Sequence, residues 1–253
     1  MRKVAANRAA PETMTLLKRS LAEALGTAFL LAAIVGSGIM ADQLSGGNDA
    51  IALLANALAT GAALMCLIAA FGPISGAHFN PAVSFADAMR GGLGWGEVPA
   101  YWLAQIFGAV LGVGLANTMF GFPLFFISHH VRSGPAQWLA EFVATFGLLT
   151  IIWGSVRSRS ILTPFSVAAY IVAAYWFTSS TSFANPAVTL ARTLSDTFAG
   201  IRPQDAPLFI IAQFLGAACA TVAFGWLAPT PRDGVDRVLL PHAASLHPRR
   251  EAK

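Results

Sequence analysis

The chain has 253 residues, 56% of them hydrophobic and only 11% charged, with a formal net charge of +4. Soluble domains carry about 25% charged residues, so a chain this apolar is read as an integral membrane protein. The basic excess does not point to nucleic acid, because the arginines and lysines lie mainly in the tails and between apolar segments, where they act as topology signals.

The first stretch is polar and carries Arg2, Lys3, Arg8, Lys18 and Arg19. The apolar run after it is of full span length, so it reads as a retained first span and not as a cleaved signal. Six long apolar segments are predicted in all, at about 20–41, 50–71, 98–120, 136–156, 162–181 and 206–228. Each is expected to be a helix, since backbone groups in lipid must pair within their own segment. A β-barrel would need alternating strands of ~10 residues, and these runs are too long and too uniformly apolar.

Two shorter stretches, about 80–90 and 185–196, each open on the same four residues, Asn80-Pro81-Ala82-Val83 and Asn185-Pro186-Ala187-Val188. Asparagine is a good N-cap and proline is favoured at the first helical position, so each motif opens a helix. At ~15–18 Å such a helix crosses about half of the ~30 Å hydrocarbon core. With both termini assigned to the cytoplasm, 13 of the lysines and arginines lie inside, and only Arg132, Arg192 and Arg202 lie outside. The two half-helices then enter from opposite sides and meet near the midplane at their asparagines.

Similarity between the two halves extends beyond the motifs. Leu21-Ala22-Glu23-Ala24-Leu25-Gly26-Thr27 resembles Leu139-Ala140-Glu141-Phe142-Val143-Ala144-Thr145, and Ala104-Gln105-Ile106-Phe107-Gly108-Ala109 resembles Ala212-Gln213-Phe214-Leu215-Gly216-Ala217. Each half reads as span, span, half-helix, span; three full spans per half is odd, so the second half is inverted. The expected organisation is an N-terminal cytoplasmic tail (1–17), a channel domain (18–228, with repeats at about 18–120 and 136–228) and a C-terminal cytoplasmic tail (229–253).

The loops before the motifs, Pro73 to Phe79 and Ser179 to Ala184, are irregular backbone at membrane depth, tolerated only where it lines a cavity. Gly76, Ala77, His78, Phe183 and Ala184 are therefore candidates for lining the pore or bracing the loops. Asn80 and Asn185 offer amide donors at its midpoint, and two positive helix ends facing one point repel cations. The implied permeant is neutral and hydrogen-bonding. Glu23 and Glu141, one per half, are either proton relays of a coupled carrier or acceptors for N–H groups of the loops; their symmetry favours bracing. His78 is weighed as a pore-facing gate against a loop hydrogen bond. Cys66 and Cys219 fall inside apolar runs and read as small buried residues, against the sharper reading of a pore-lining thiol. Gly108, Gly112 and Gly216 fit close helix packing. No clustered nucleophile, base and acid and no metal-ligand spacing appears, so an enzyme, a metal site and a cofactor are not expected.

These motifs, glutamates and paired Gln-x-x-Gly segments resemble the aquaporin (major intrinsic protein) family over about residues 18–228. The resemblance implies an all-α membrane fold of six spans and two re-entrant half-helices in an inverted repeat. It also implies a homotetramer in a bacterial inner membrane, with one pore per subunit and passive flow. Partners are then small neutral solutes and the lipid bilayer, and not nucleic acid. Family members usually carry arginine directly after the second motif, as part of a four-residue constriction; here Val188 stands there. Family spacing places the other three at Thr60, Ala173 and Ser182, so every change is toward small and uncharged. A wide neutral ring resembles that of bacterial aquaporins linked to arsenic resistance. This implies metalloid hydroxides such as arsenite and antimonite and methylated arsenicals, with glycerol or water; the alternatives are a water-selective aquaporin or a secondary carrier. Arg192, one turn after Val188, is a candidate positive charge in the outer mouth, weighed against a pair with Asp196.

Overall fold

A computed structural model describes residues 14–158 and 160–228. Residues 1–13 of the N-terminal tail expected at 1–17, the C-terminal tail expected at 229–253, and Arg159 lie outside the described residues. Eight helices are present among them: α1 (Leu16–Leu44), α2 (Asp49–Ser75), α3 (Pro81–Met89), α4 (Val98–Met119), α5 (Pro135–Arg157), α6 (Thr163–Phe177), α7 (Pro186–Arg192) and α8 (Ala206–Leu227). Every helix from α3 to α8 carries a proline in its first turn, where the missing N–H would have had no intrahelical partner. The β structure described is one isolated bridge, Phe126 to Ser195.

Five helices are long and apolar enough to cross a membrane, and α6, at 15 residues, is a shorter apolar helix. The boundaries differ from expectation in three places. Helix α2 runs through Pro73 to Ser75, because a proline in the last turn costs only one ladder bond; the Gly76 N–H closes the helix on the Gly72 carbonyl at 3.0 Å. Helix α6 stops at Phe177, and the chain turns between Thr178 and Thr181 before the irregular backbone that leads to the second motif. Helix α7 ends at Arg192, short of the expected 196, because the outer loop takes over the chain beyond it. There Phe126 and Ser128 donate their N–H groups to the Leu194 and Thr193 carbonyls at 3.1 and 2.9 Å.

The packing repeats between halves. Helix α1 packs on α2 and α4, and α5 on α6 and α8; α2 against α6 joins the halves. Each half-helix also leans on the last span of the other half, α3 on α8 and α7 on α4. The close pairs rest on glycine: a Cβ at Gly108 or Gly112 would sit 2.1 or 2.2 Å from the Ala24 or Ala28 carbonyl oxygen, and one at Gly216 would sit 2.5 Å from that of Phe142. Without a hydrophobic drive between helices in lipid, such close backbone approach supplies the packing.

Large apolar side chains cover the outside, among them Leu17, Phe29, Leu103, Phe107, Ile211 and Trp226. Buried polar residues, among them Glu23, Gln105, Glu141, Gln213 and both motif asparagines, lie inside. This inversion of the soluble pattern is what lipid as solvent requires. It also corrects the cysteine reading. Cys66 and Cys219 are exposed, and neither lines the central cavity. An apolar run in a membrane helix does not say which of its faces is the inner one.

The candidate solute pore

Two loops and two half-helices build the centre, and they match at a constant offset of 105 positions (185 minus 80). Gly76, Ala77 and Phe79 have φ of 90, 50 and 49°; their counterparts Thr181, Ser182 and Ala184 have φ of 62, 51 and 48°. Left-handed backbone at non-glycine residues is costly and persists where the surroundings enforce it. The enforcing groups are the two buried glutamates. Glu23 accepts the His78 and Phe79 N–H groups at 3.0 and 2.6 Å, the Ser75 hydroxyl at 2.6 Å and the Gln105 amide at 2.9 Å. Glu141 accepts the Phe183 and Ala184 N–H groups, both at 2.9 Å, and the Gln213 amide at 2.6 Å. Gln105 and Gln213 also donate to Ser84 on α3 and Thr189 on α7, at 2.9 and 2.8 Å, tying each half-helix to the same hub. Both glutamates are fully buried and neither touches the central cavity, so the geometry is that of a brace and offers no proton path.

Each asparagine caps its helix with its Oδ1: Asn80 accepts from the Ala82 N–H at 2.9 Å, and Asn185 from those of Ala187 and Val188 at 3.0 and 3.3 Å. Each Nδ2 crosses to the other half, Asn80 to the Ala184 carbonyl at 2.7 Å and Asn185 to the Phe79 carbonyl at 2.8 Å. The half-helix ends are therefore locked together. An amide nitrogen carries two hydrogens, so each asparagine keeps one donor for a solute.

The cavity at this junction has a volume of about 60 Å³. Asn80, Asn185, Ala77, His78, Phe183 and Ala184 line it, whereas Gly76 and the Pro-Ala pairs of both motifs do not. His78 lies on the wall with its Nδ1 3.0 Å from the Ser84 hydroxyl and its Nε2 3.6 Å from Asp87. Leu30, Ile34, Leu148, Ile152, Val167 and Ile171 supply an apolar wall. One wall therefore bonds and the other does not, which suits a compact molecule with hydroxyls on one side.

Thr60, Ser182 and Val188 line the cavity, but Ala173 does not: it is exposed on the outside of α6, and Tyr175 takes the wall. The Tyr175 hydroxyl donates to Thr60 at 3.3 Å. A second correction concerns charge. Arg192 is buried and lines the same cavity, so this set is not uncharged. Helical side chains lean toward the N-terminus of their helix, so an arginine one turn past Val188 reaches back over the space valine leaves. Its guanidinium carbon lies 3.5 Å from the centre of the Phe183 ring, and its Nε donates to the Ala199 carbonyl. It does not pair with Asp196, which accepts instead from the His129 N–H and contacts the His129 ring at 2.8 and 3.0 Å. Those bonds hold the Asp196 carboxyl below the usual range.

Arg132 is a residue the sequence reading counted only for topology. It is buried, donates to the Gly200, Ser180 and Phe198 carbonyls at 2.8, 3.3 and 3.3 Å, and lies 5.2 Å from the Phe183 ring. Burial lowers its pKa to about 10, which leaves it cationic at neutral pH. Its backbone N–H donates to Asp205 at 2.8 Å. Burial alone would raise the Asp205 carboxyl, but Arg202 and that N–H bring it below its ordinary value.

Five helices long and apolar enough to cross a membrane, a sixth shorter apolar helix, and two inverted half-helices that meet at a cavity with one polar wall define a membrane pore. The chain belongs to the major intrinsic protein family, whose model matches residues 11–181. It is 54% identical to aquaglyceroporin AqpS of Rhizobium meliloti (strain 1021), over 86% of this chain and 93% of that protein. It is 32% identical to aquaporin NIP1-1 of Oryza sativa subsp. japonica, over 82% of this chain and 73% of that protein. In structure it is similar to the aquaglyceroporin from Plasmodium falciparum, with a TM-score of 0.68, 22% identity and coverage of 83% and 96% of the two chains; that likeness concerns the fold.

Proposed function

We propose that the chain is a passive channel of the aquaglyceroporin type. It admits small neutral solutes: glycerol, the hydroxides of trivalent arsenic and antimony, and methylated arsenicals in their neutral forms. The observation that carries this reading is Val188 on the wall of the central cavity, where the family usually places arginine. Thr60, Tyr175 and Ser182 leave hydroxyls around that position, opposite apolar Ile171 and Ile34. Arsenite at neutral pH is an uncharged molecule bearing hydroxyls, so glycerol and arsenite ask the same of such a wall. The named activity of the Rhizobium relative supports the same class. Both asparagines are cross-bonded between halves, a fixed junction that favours a static pore over the alternating gate of a carrier. The charge count favours both termini in the cytoplasm of a bacterial inner membrane, and the family resemblance supports a homotetramer.

The test is stopped-flow flux of water, glycerol and arsenite into proteoliposomes. Glycerol and arsenite are expected to enter far faster than into protein-free vesicles. Rapid water flux with both solutes excluded would overturn the reading in favour of a water-selective pore.

A further inference from the structure

The connection from α4 to α5 opens on Phe120-Gly121-Phe122-Pro123-Leu124-Phe125-Phe126-Ile127, a run without a charged or hydrogen-bonding side chain. The α1 to α2 connection, on the same side of the membrane by the charge count, is Ser45-Gly46-Gly47-Asn48, a short polar turn of the kind expected in water. Leu124 and Ile127 are nevertheless more than half exposed, and Phe122 and Phe125 are exposed beside them. The segment folds back down α4 instead of standing off from it. A Cβ at Gly114 would lie 2.9 Å from Leu124 Cδ1 and 3.2 Å from Phe125 Cε1. Gly114 precedes the last residue of α4 by five positions (119 minus 114), or about 7–8 Å along the helix axis. The backbone of the segment is paired within the protein. The Phe122 N–H donates to the Asn117 carbonyl at 2.9 Å, the Asn117 side-chain amide donates to the Leu124 carbonyl at 3.0 Å, and the Phe126 N–H donates to the Leu194 carbonyl at 3.1 Å. Pro123 has no N–H to satisfy. Such pairing lowers the cost of taking irregular backbone out of water.

We propose that residues 120–127 are immersed in the outer leaflet, a lipid-contacting segment beyond the spans that seats the outer loop at the boundary between headgroups and acyl chains. Continuity names the occupant. The segment prolongs an exposed ridge on α4, made of Leu103, Phe107, Leu111, Leu115 and Met119 at every fourth residue. Contacts between membrane helices favour small residues that let backbones approach, so a ridge of leucine, phenylalanine and methionine suits acyl chains and not a second copy of the chain. The depth agrees as well, since apolar faces that lie in the membrane interface are buried by about 5–10 Å. His129 and His130, both exposed, mark the return of the chain to water, where the His129 ring meets Asp196 at 3.0 Å.

The experiment places nitroxide spin labels on Leu124→Cys and Ile127→Cys in the full chain, with Cys66→Ser and Cys219→Ser as background, reconstituted in phospholipid vesicles. Leu111→Cys on the α4 ridge is the lipid reference, and Ser45→Cys in the α1 to α2 turn is the water reference. Relaxation of each label by dissolved oxygen, which concentrates in lipid, is compared with relaxation by a water-soluble nickel chelate. Positions 124 and 127 are expected to give an oxygen-to-chelate ratio close to that of Leu111→Cys and far above that of Ser45→Cys. A ratio like that of Ser45→Cys puts the segment in water and overturns the proposal. Poor access to both reagents puts a protein surface over the segment, a neighbouring copy of the chain, and overturns it too. Should Leu124→Cys fail to fold, Ile127→Cys decides. The channel reading stands apart from all these outcomes, because solute flux tests it separately.

Discussion

Glu141→Ala is expected to abolish solute flux and to lower the unfolding temperature in detergent sharply. The carboxylate is fully buried and receives the Phe183 and Ala184 N–H groups and the Gln213 amide. Alanine leaves those donors unsatisfied, at about 1–3 kcal/mol each, so the two backbone groups alone cost roughly 2–6 kcal/mol. The same groups hold Ala184 at φ of 48° and Asn185 in its cap, so the damage reaches the lumen directly. Glu141→Gln should be milder, because an amide oxygen still accepts, although its NH2 group faces a donor. Glu23→Ala should match Glu141→Ala, as the two hubs bond alike. A proton relay would give another pattern: lost flux with unchanged thermal stability. Paired thermal melts and flux measurements separate the two.

Val188→Arg is expected to cut glycerol and arsenite flux at least tenfold while reducing water flux less. Val188 is buried at the cavity wall, so a guanidinium there fills lumen that now admits solute. It would also stand one turn from Arg192. Two like charges about 6 Å apart at an effective dielectric of about 20 repel by roughly 3 kcal/mol, so the variant should be less stable as well. Adding Arg192→Ala to Val188→Arg should restore part of that stability without restoring glycerol flux. Wild-type glycerol flux in Val188→Arg would show that this wall does not set solute size. Stopped-flow light scattering on the reconstituted variants, with detergent melts alongside, gives both readouts.

Much of the architecture was legible in the sequence because it rests on strong local signals. Asn-Pro reads as cap and first helical residue, and Asn80 and Asn185 do cap α3 and α7. The paired glutamates were legible as braces, since a carboxylate inside a span needs partners and the nearest irregular backbone supplies them. Residue orientation was harder. Counting a fixed spacing back from Asn185 selects Ala173, but the lumen is met by Tyr175. Two positions along a helix turn the side chain by about 200°, so a shift of two exchanges an inward residue for an outward one. Where α6 ends at Phe177 and the chain turns sets that register, and no local signal marks it. The proposed pairing of Arg192 with Asp196 failed for a related reason. It assumed one continuous helix, whereas α7 ends at Arg192 and the loop hands Asp196 to His129. Charge at the cavity was half legible: Arg192 was visible as one turn past Val188, and its lean back over Phe183 follows from helical geometry.

The most direct test of the account is the dependence of glycerol and arsenite flux on concentration and ion gradients, measured in the same proteoliposomes. A static pore between Asn80 and Asn185 predicts flux that rises linearly with the solute gradient, is indifferent to an imposed proton or sodium gradient, and carries no ion leak. Saturable flux driven by an ion gradient would contradict it, and would mean that the cross-bonded junction opens and closes as a carrier does.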